Sequence, residues 1–264
     1  APGRASRAAR SFVEDLDALP FPSDEFSRSV DPSAPDVWLP VQTRRGCPLG
    51  CNYCSTAQIE GRSVRARSPQ RVAEHLARAA DSGFRRFFFV DNTFNRPPEY
   101  ALELCRSMAA LGRDLAWRSI LYPHDVSEEL VAAMAAAGCI QVSLGFESGS
   151  GRILKIMNKR FGPDEVRAIS ERLAAHGIRR MGFLLLGGPG ETRDSVQESL
   201  AFAESLGLDM LKITVGIRIN PETPLVRLAV EEGIVTPEDD LLQPRFYLRP
   251  ELADWIREVV AGRE

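Results

Sequence analysis

Lysine and histidine are scarce in this chain of 264 residues: Lys155, Lys159 and Lys212 are the only lysines, and there are three histidines. The other cations are arginines, and the formal net charge is −3. Such a balance lacks the basic excess that a nucleic-acid footprint requires, so no nucleic-acid partner is expected. No run of about 18 apolar residues occurs, which leaves no membrane span. The Ala/Arg-rich start lacks the apolar middle of a secretory signal. Of the five cysteines, an odd number, Cys105 and Cys139 stand alone in apolar surroundings. A disulfide framework is therefore not expected, and the usage suits a reducing cytoplasm. A nucleotide-binding phosphate loop is missing too. "LLLGGPGETRDS" has no G-K-[ST], and Arg193 stands where G-x-G-x-x-G needs its third glycine.

What is present is a regular alternation of short apolar runs and amphipathic segments. Strands are predicted at residues 37–43, 85–91, 115–120, 140–146, 180–187 and 211–217. Helices are predicted between them, opened by Ser68-Pro69, Pro98, Ser127, Pro163 and Thr192 or Asp194 and stopped at glycines such as Gly83, Gly138 and Gly177. Strand and helix in alternation imply a parallel sheet, because parallel neighbours need a crossover. An open doubly wound sheet and a partial barrel both fit. The strands read as apolar on both faces, so helices should cover one side and a filled interior the other. Residues 1–36 read as a linker or pre-barrel arm, 37–224 as the core and 225–264 as a closing segment. The start at Ala1 raises the expectation of a further domain upstream.

Polar residues gather after the strands, where ligands bind in α/β folds. After the first comes "RRGCPLGCNYCS", which places Cys47, Cys51 and Cys54 within eight positions and offers no fourth thiol. Structural zinc requires four ligands, and the nearest histidine, His75, lies well downstream in a predicted helix. Iron–sulfur cubanes usually take four thiolates, so three leave one iron open to a substrate or cofactor.

C-x3-C-x-aromatic-C, with Tyr53 at the aromatic position, resembles the signature of the radical S-adenosylmethionine (SAM) superfamily. The resemblance spans roughly residues 37–224 and implies an α/β fold, a partial (β/α)6 TIM-like barrel with parallel strands. It implies a [4Fe-4S] cluster on Cys47, Cys51 and Cys54. Its open iron would hold the amino and carboxylate groups of SAM, which is cleaved reductively to a 5′-deoxyadenosyl radical. By the same resemblance Asp91 and Asn92 match a motif at the amino end of SAM, Glu147 the ribose contact and Lys159 a basic position toward the SAM carboxylate. Gly187, Gly188 and Ile217 match contacts to adenine. Each has a structural rival: a turn for Asp91 and Asn92, a helix-capping carboxylate for Glu147, a surface lysine for Lys159, a strand-to-helix turn for the glycines and a core position for Ile217.

"SLGFESGSGRILKIMNKRF" and "MGFLLLGGPGET" most resemble the barrel of the cobalamin-binding group, which includes many methyltransferases. In that group a cobalamin domain precedes a proline-rich connection like "LDALPFPSDEF". The present sequence contains no D-x-H-x2-G cobalamin-ligand motif. Two enzymatic readings follow, the catalytic part of a cobalamin-dependent methyltransferase and a cobalamin-independent radical enzyme. A redox module or an inactive scaffold is the non-enzymatic one. The implied partners are a small-molecule or unknown substrate and an electron donor such as flavodoxin or ferredoxin. Tyr122, His124, Arg218 and Asn220 sit at strand ends, and no residue is assigned a catalytic role.

Overall fold

A computed structural model describes residues 11–22 and 30–262. Six strands form one parallel sheet: β1 (Leu39–Val41), β4 (Arg86–Phe89), β5 (Ala116–Leu121), β6 (Cys139–Glu147), β7 (Arg179–Leu186) and β8 (Met210–Val215). They lie side by side in chain order. A doubly wound sheet reverses direction at a switch point, whereas consecutive order is the order of a barrel, so the topology settles the choice that periodicity left open. No pairing joins β8 to β1, and the barrel is partial.

Helices cover the outer face. α1 (Thr56–Glu60) is a short turn after the cysteines; α2 (Pro69–Asp81), α3 (Pro98–Ala109), α4 (Glu128–Ala136), α5 (Gly151–Ile156), α6 (Pro163–Ala175) and α7 (Arg193–Ser205) follow. Ser68, Ser127 and Thr192 cap α2, α4 and α7 through their hydroxyls, as expected of those residue types. Alternate strand residues meet the helices: Phe87, Phe89, Trp117, Val142, Leu144 and Leu184 share one core with Leu76, Leu104, Met134, Ile169 and Leu200. Fully burying each such side chain contributes about 1.5–3 kcal/mol.

The inner face departs from expectation. Phe88, Arg118, Gln141, Ser143 and Met181 are half-buried and Lys212 is exposed, so the interior is not a filled apolar layer. Full barrels pack this space with side chains from opposite strands; a six-stranded arc leaves it open to solvent on one side.

Two small antiparallel ladders flank the sheet. β2 (Arg44–Arg45) pairs with β3 (Arg65–Ala66), and β9 (Ile217–Arg218) with β10 (Phe246–Tyr247). α8 (Pro224–Glu231) and α9 (Ala253–Ala261) complete the chain, the latter where a closing helix is expected. Of the N-terminal arm, residues 1–10 and 23–29 lie outside the described residues. The described part is docked. Leu16 is buried, the Arg67 guanidinium donates to the Leu16 and Leu19 carbonyls at 2.7 and 2.6 Å, and the Phe21 ring stacks on His75 at 3.9 Å.

Candidate active site

The cysteine loop leaves the β2 ladder at Gly46, whose φ is +93°. A Cβ there would stand 2.0 Å from the Ser63 carbonyl oxygen, so glycine alone fits this close turn. The Glu60 carboxylate, at the end of α1, anchors the loop by accepting the Gly46 N–H at 3.0 Å and the Asn92 amide at 2.7 Å. On the far side the Asn158 amide donates to the Gly50 carbonyl at 2.7 Å, and the Asn52 amide to the Ile156 carbonyl at 2.7 Å. The loop is thus pinned at both flanks, by α1 on one side and the end of α5 on the other.

All five cysteines are free thiols; Cys47 is buried, and Cys51 and Cys54 are half-buried. Burial pushes the Cys47 and Cys51 thiols up; Cys54 raises both further and Cys47 also raises Cys51, while Lys159 lowers both. The three sulfurs therefore share one neighbourhood. Among the described residues they do not form a single-ion site. Ligands of one tetrahedral zinc would lie about 3.8 Å apart, given Zn–S bonds of about 2.3 Å. Three thiols on one loop are the donor chemistry of a cluster that takes one thiolate per iron and leaves one iron open.

Next to the thiols lies a buried ion pair. Lys159 Nζ is 3.3 Å from Glu147 Oε1, with side chains 4% and 12% exposed. Nζ also faces the rings of Tyr53, Tyr122 and Phe161 at 5.4, 5.6 and 5.7 Å, within reach of the aromatic quadrupoles. Burial pulls the lysine pKa down, but the Glu147 carboxylate and the Cys51 thiol more than reverse it, and the pKa ends above the ordinary value. Burial, then the Glu147 charge, drives the Tyr53 phenol well up. Glu147 itself has φ +65°, a left-handed conformation that non-glycine residues adopt at a cost. That twist at the end of β6 coincides with a shift in its register against β7.

A second group gathers at the ends of β7 and β8. Gly188 lies against Ile217, where an added Cβ would stand 2.7 Å from Ile217 Cδ1 and 3.7 Å from Met157 Cε. Ile217 is buried in a small core with Ile153 and Met157, and Tyr53 packs against it. Gly187 has φ +89° and its N–H, like that of Gly188, donates to Glu191 Oε2. Of the residues singled out in the sequence, Tyr53, Glu147 and Lys159 meet directly, while Gly188 and Ile217 meet beside them.

Asp91 is placed differently. It is 1% exposed, and its carboxylate accepts the Thr43 N–H at 2.7 Å, the Thr43 hydroxyl at 2.6 Å, the Arg44 N–H at 3.0 Å and the Arg44 guanidinium at 3.0 Å. The carboxylate is engaged in bracing the strand that leads into the cysteine loop. Asn92 faces the loop, its Oδ1 accepting from Thr56 Oγ1 at 3.3 Å, which in turn accepts from the Cys54 thiol at 3.3 Å. Sequence reasoning missed Glu60 and Glu191. Both look like ordinary helix-end carboxylates, and only the short "GGPGE" spacing hinted at the second.

The radical SAM superfamily matches residues 41–203, and the chain belongs to that superfamily. Its members use a [4Fe-4S] cluster and SAM. An uncharacterized methyltransferase of Pyrococcus horikoshii is 28% identical over 86% of the chain and 50% of its own length. The cytidylyl-2-hydroxyethylphosphonate methyltransferase of Streptomyces wedmorensis is 28% identical over 89% of the chain and 47% of its own length. The radical SAM methyltransferase TsrM of Kitasatospora setae superposes with a TM-score of 0.75 at 20% identity, covering 84% of this chain and 50% of that one. The cobalamin-dependent radical enzyme OxsB superposes at 0.70 with 15% identity, over 85% of this chain and 41% of that one. The chain thus spans about half the length of the curated relatives it matches.

Proposed function

We propose that this chain is the catalytic barrel of a cobalamin-dependent radical SAM methyltransferase. One observation carries the reading: three thiols on one pinned loop stand beside a buried Lys159–Glu147 pair at the carboxyl end of a parallel sheet, in a member of this superfamily. The methyltransferase assignment follows the relatives' names, and the acceptor is unknown. Cluster and SAM, when bound, supply a 5′-deoxyadenosyl radical. The chain supplies placement: Cys47, Cys51 and Cys54 hold the cluster, Lys159 offers a cation to a carboxylate, and Glu147 offers an acceptor for ribose hydroxyls. Gly187, Gly188, Ile217 and Tyr53 form an apolar wall for a base. Asn92 reaches the loop directly, whereas Asp91 acts by holding Thr43 and Arg44 in place.

An electron must enter near the loop. Arg62 is exposed with its guanidinium 3.7 Å from the Gly50 Cβ position, beside a cleft of about 410 Å³ that Arg227 also lines. Glu222 lines the same cleft and leaves one cation in excess, which suits an acidic carrier such as a flavodoxin or ferredoxin. Among the described residues no helix is long and apolar enough to cross a membrane. Free thiols and a reducible cluster fit the cytoplasm.

The test is anaerobic reconstitution with iron and sulfide, reduction in the presence of SAM, and assay for 5′-deoxyadenosine. Product should form, and Cys51→Ala should abolish it. A cluster that assembles yet yields no product, with a spin-resonance signal unmoved by SAM, would leave the redox-module reading instead.

A further inference from the structure

The inner face of the sheet has an electrostatic character that the cluster site does not use. Its strand positions carry Arg86, Arg118, Arg179 and Lys212 and one carboxylate, Glu147, which Lys159 already neutralises. In a chain of net charge −3 this is a local excess of cations. Arg86 is tied to the Ala34 carbonyl at 3.1 Å. Arg118 has no such tie. Its guanidinium lies 4.3 Å from the Trp38 ring centroid and 4.8 Å from that of Phe88, and its Nε is buried without a hydrogen-bond partner. Burial lowers its pKa, and among the described residues no carboxylate offsets it. Aromatic faces hold a guanidinium flat and leave the N–H edge free for a planar or tetrahedral oxyanion. Gln141 lies beside Arg118 in register on β6, whereas Lys212 stands on the same face at β8 but level with Phe183, four residues nearer the mouth.

We propose that Arg118, with Gln141 beside it in register, receives an oxyanion of the substrate, a carboxylate or a phosphoryl group, in the open interior. This inference rests on the proposed function above and names the substrate class for the same barrel. Arg118 is four residues below Tyr122 at the mouth, roughly 13 Å at about 3.3 Å per residue. An acceptor anchored at Arg118 therefore extends upward, presenting its reacting atom near the cluster end.

The experiment uses the reconstituted, oxidised chain without SAM. Phenylphosphonate and phenylacetate are titrated separately, with benzyl alcohol as the uncharged control, while arginine Nε–H resonances are followed by NMR. The Arg118 signal is assigned by its loss in Arg118→Gln. A saturable displacement of that signal by one or both oxyanions is expected, and the stronger of the two names the group. Apparent affinity should fall about tenfold in Arg118→Gln, less in Gln141→Leu, and partly return in Arg118→Lys, which keeps the charge but not the fork. Equal displacement of all exposed arginines, no saturation, or binding undiminished by Arg118→Gln overturns the proposal. Should Arg118→Gln fail to fold, Arg118→Lys and Gln141→Leu carry the same decision. The 5′-deoxyadenosine assay needs no acceptor, so the two readings fail independently.

Discussion

At the scale of single residues, buried charge is tolerated because it is paired and caged. Lys159 sits among three rings and one carboxylate, and removing it would leave Glu147 uncompensated in a largely buried position. Lys159→Met should therefore destabilise the chain by about 3 kcal/mol in denaturant unfolding, and adding Glu147→Gln should restore most of it. A loss that the second substitution leaves unchanged would show that the pair is not coupled. Gly46 is constrained by backbone instead. Gly46→Ala forces a methyl group into the Ser63 carbonyl, and should lower cluster iron content together with stability by about 2 kcal/mol. Full iron incorporation in that variant would show that the turn tolerates relaxation. The cysteines were legible in the sequence because their spacing is short. Glu60 was not, since its partners Gly46 and Asn92 lie 14 and 32 positions away.

At the scale of elements, the turn from β7 into α7 is braced by one acid. Glu191 is 2% exposed and accepts the Gly187 and Gly188 N–H groups, while its Oε1 is buried without a partner. Burial raises its pKa from 4.5 to about 7, against the lowering effect of those two N–H groups and of Arg152. A carboxyl whose folded pKa lies above its unfolded one adds stability that is complete below pH 4.5 and is lost as pH rises to about 7. Over that window the loss should be on the order of 3 kcal/mol. Glu191→Gln should flatten the curve of unfolding free energy against pH between those limits. A variant curve parallel to that of the parent would rule out Glu191 as its source. Helix starts at this scale were readable, because a hydroxyl followed by a helix-forming run is a local signal. The two-residue ladder β2–β3 was not, because so short a pair carries no periodicity.

At the scale of the whole molecule, the sheet is an arc with two unequal edges. β6 is flanked by strands on both sides, while β8 has one neighbour and Met210 near its start is 54% exposed. Local opening follows the density of buried contacts. Amide exchange should thus be slowest along β5, β6 and β7 and earlier at residues 210–212. Protection of β8 equal to that of β6 would mean that something covers this edge.

The chain by itself determined the order of strands and helices, the helix caps and a three-thiol site left open at one position. These follow from spacing and periodicity, which neighbours in sequence set among themselves. Tertiary structure alone decided that the strands add in consecutive order, that the interior is open and cationic, that Lys159 answers Glu147 and that Asp91 is engaged with Thr43 and Arg44. The reason is physical: the partner of a charge and the face of a strand that water reaches depend on segments brought together only when the sheet curls.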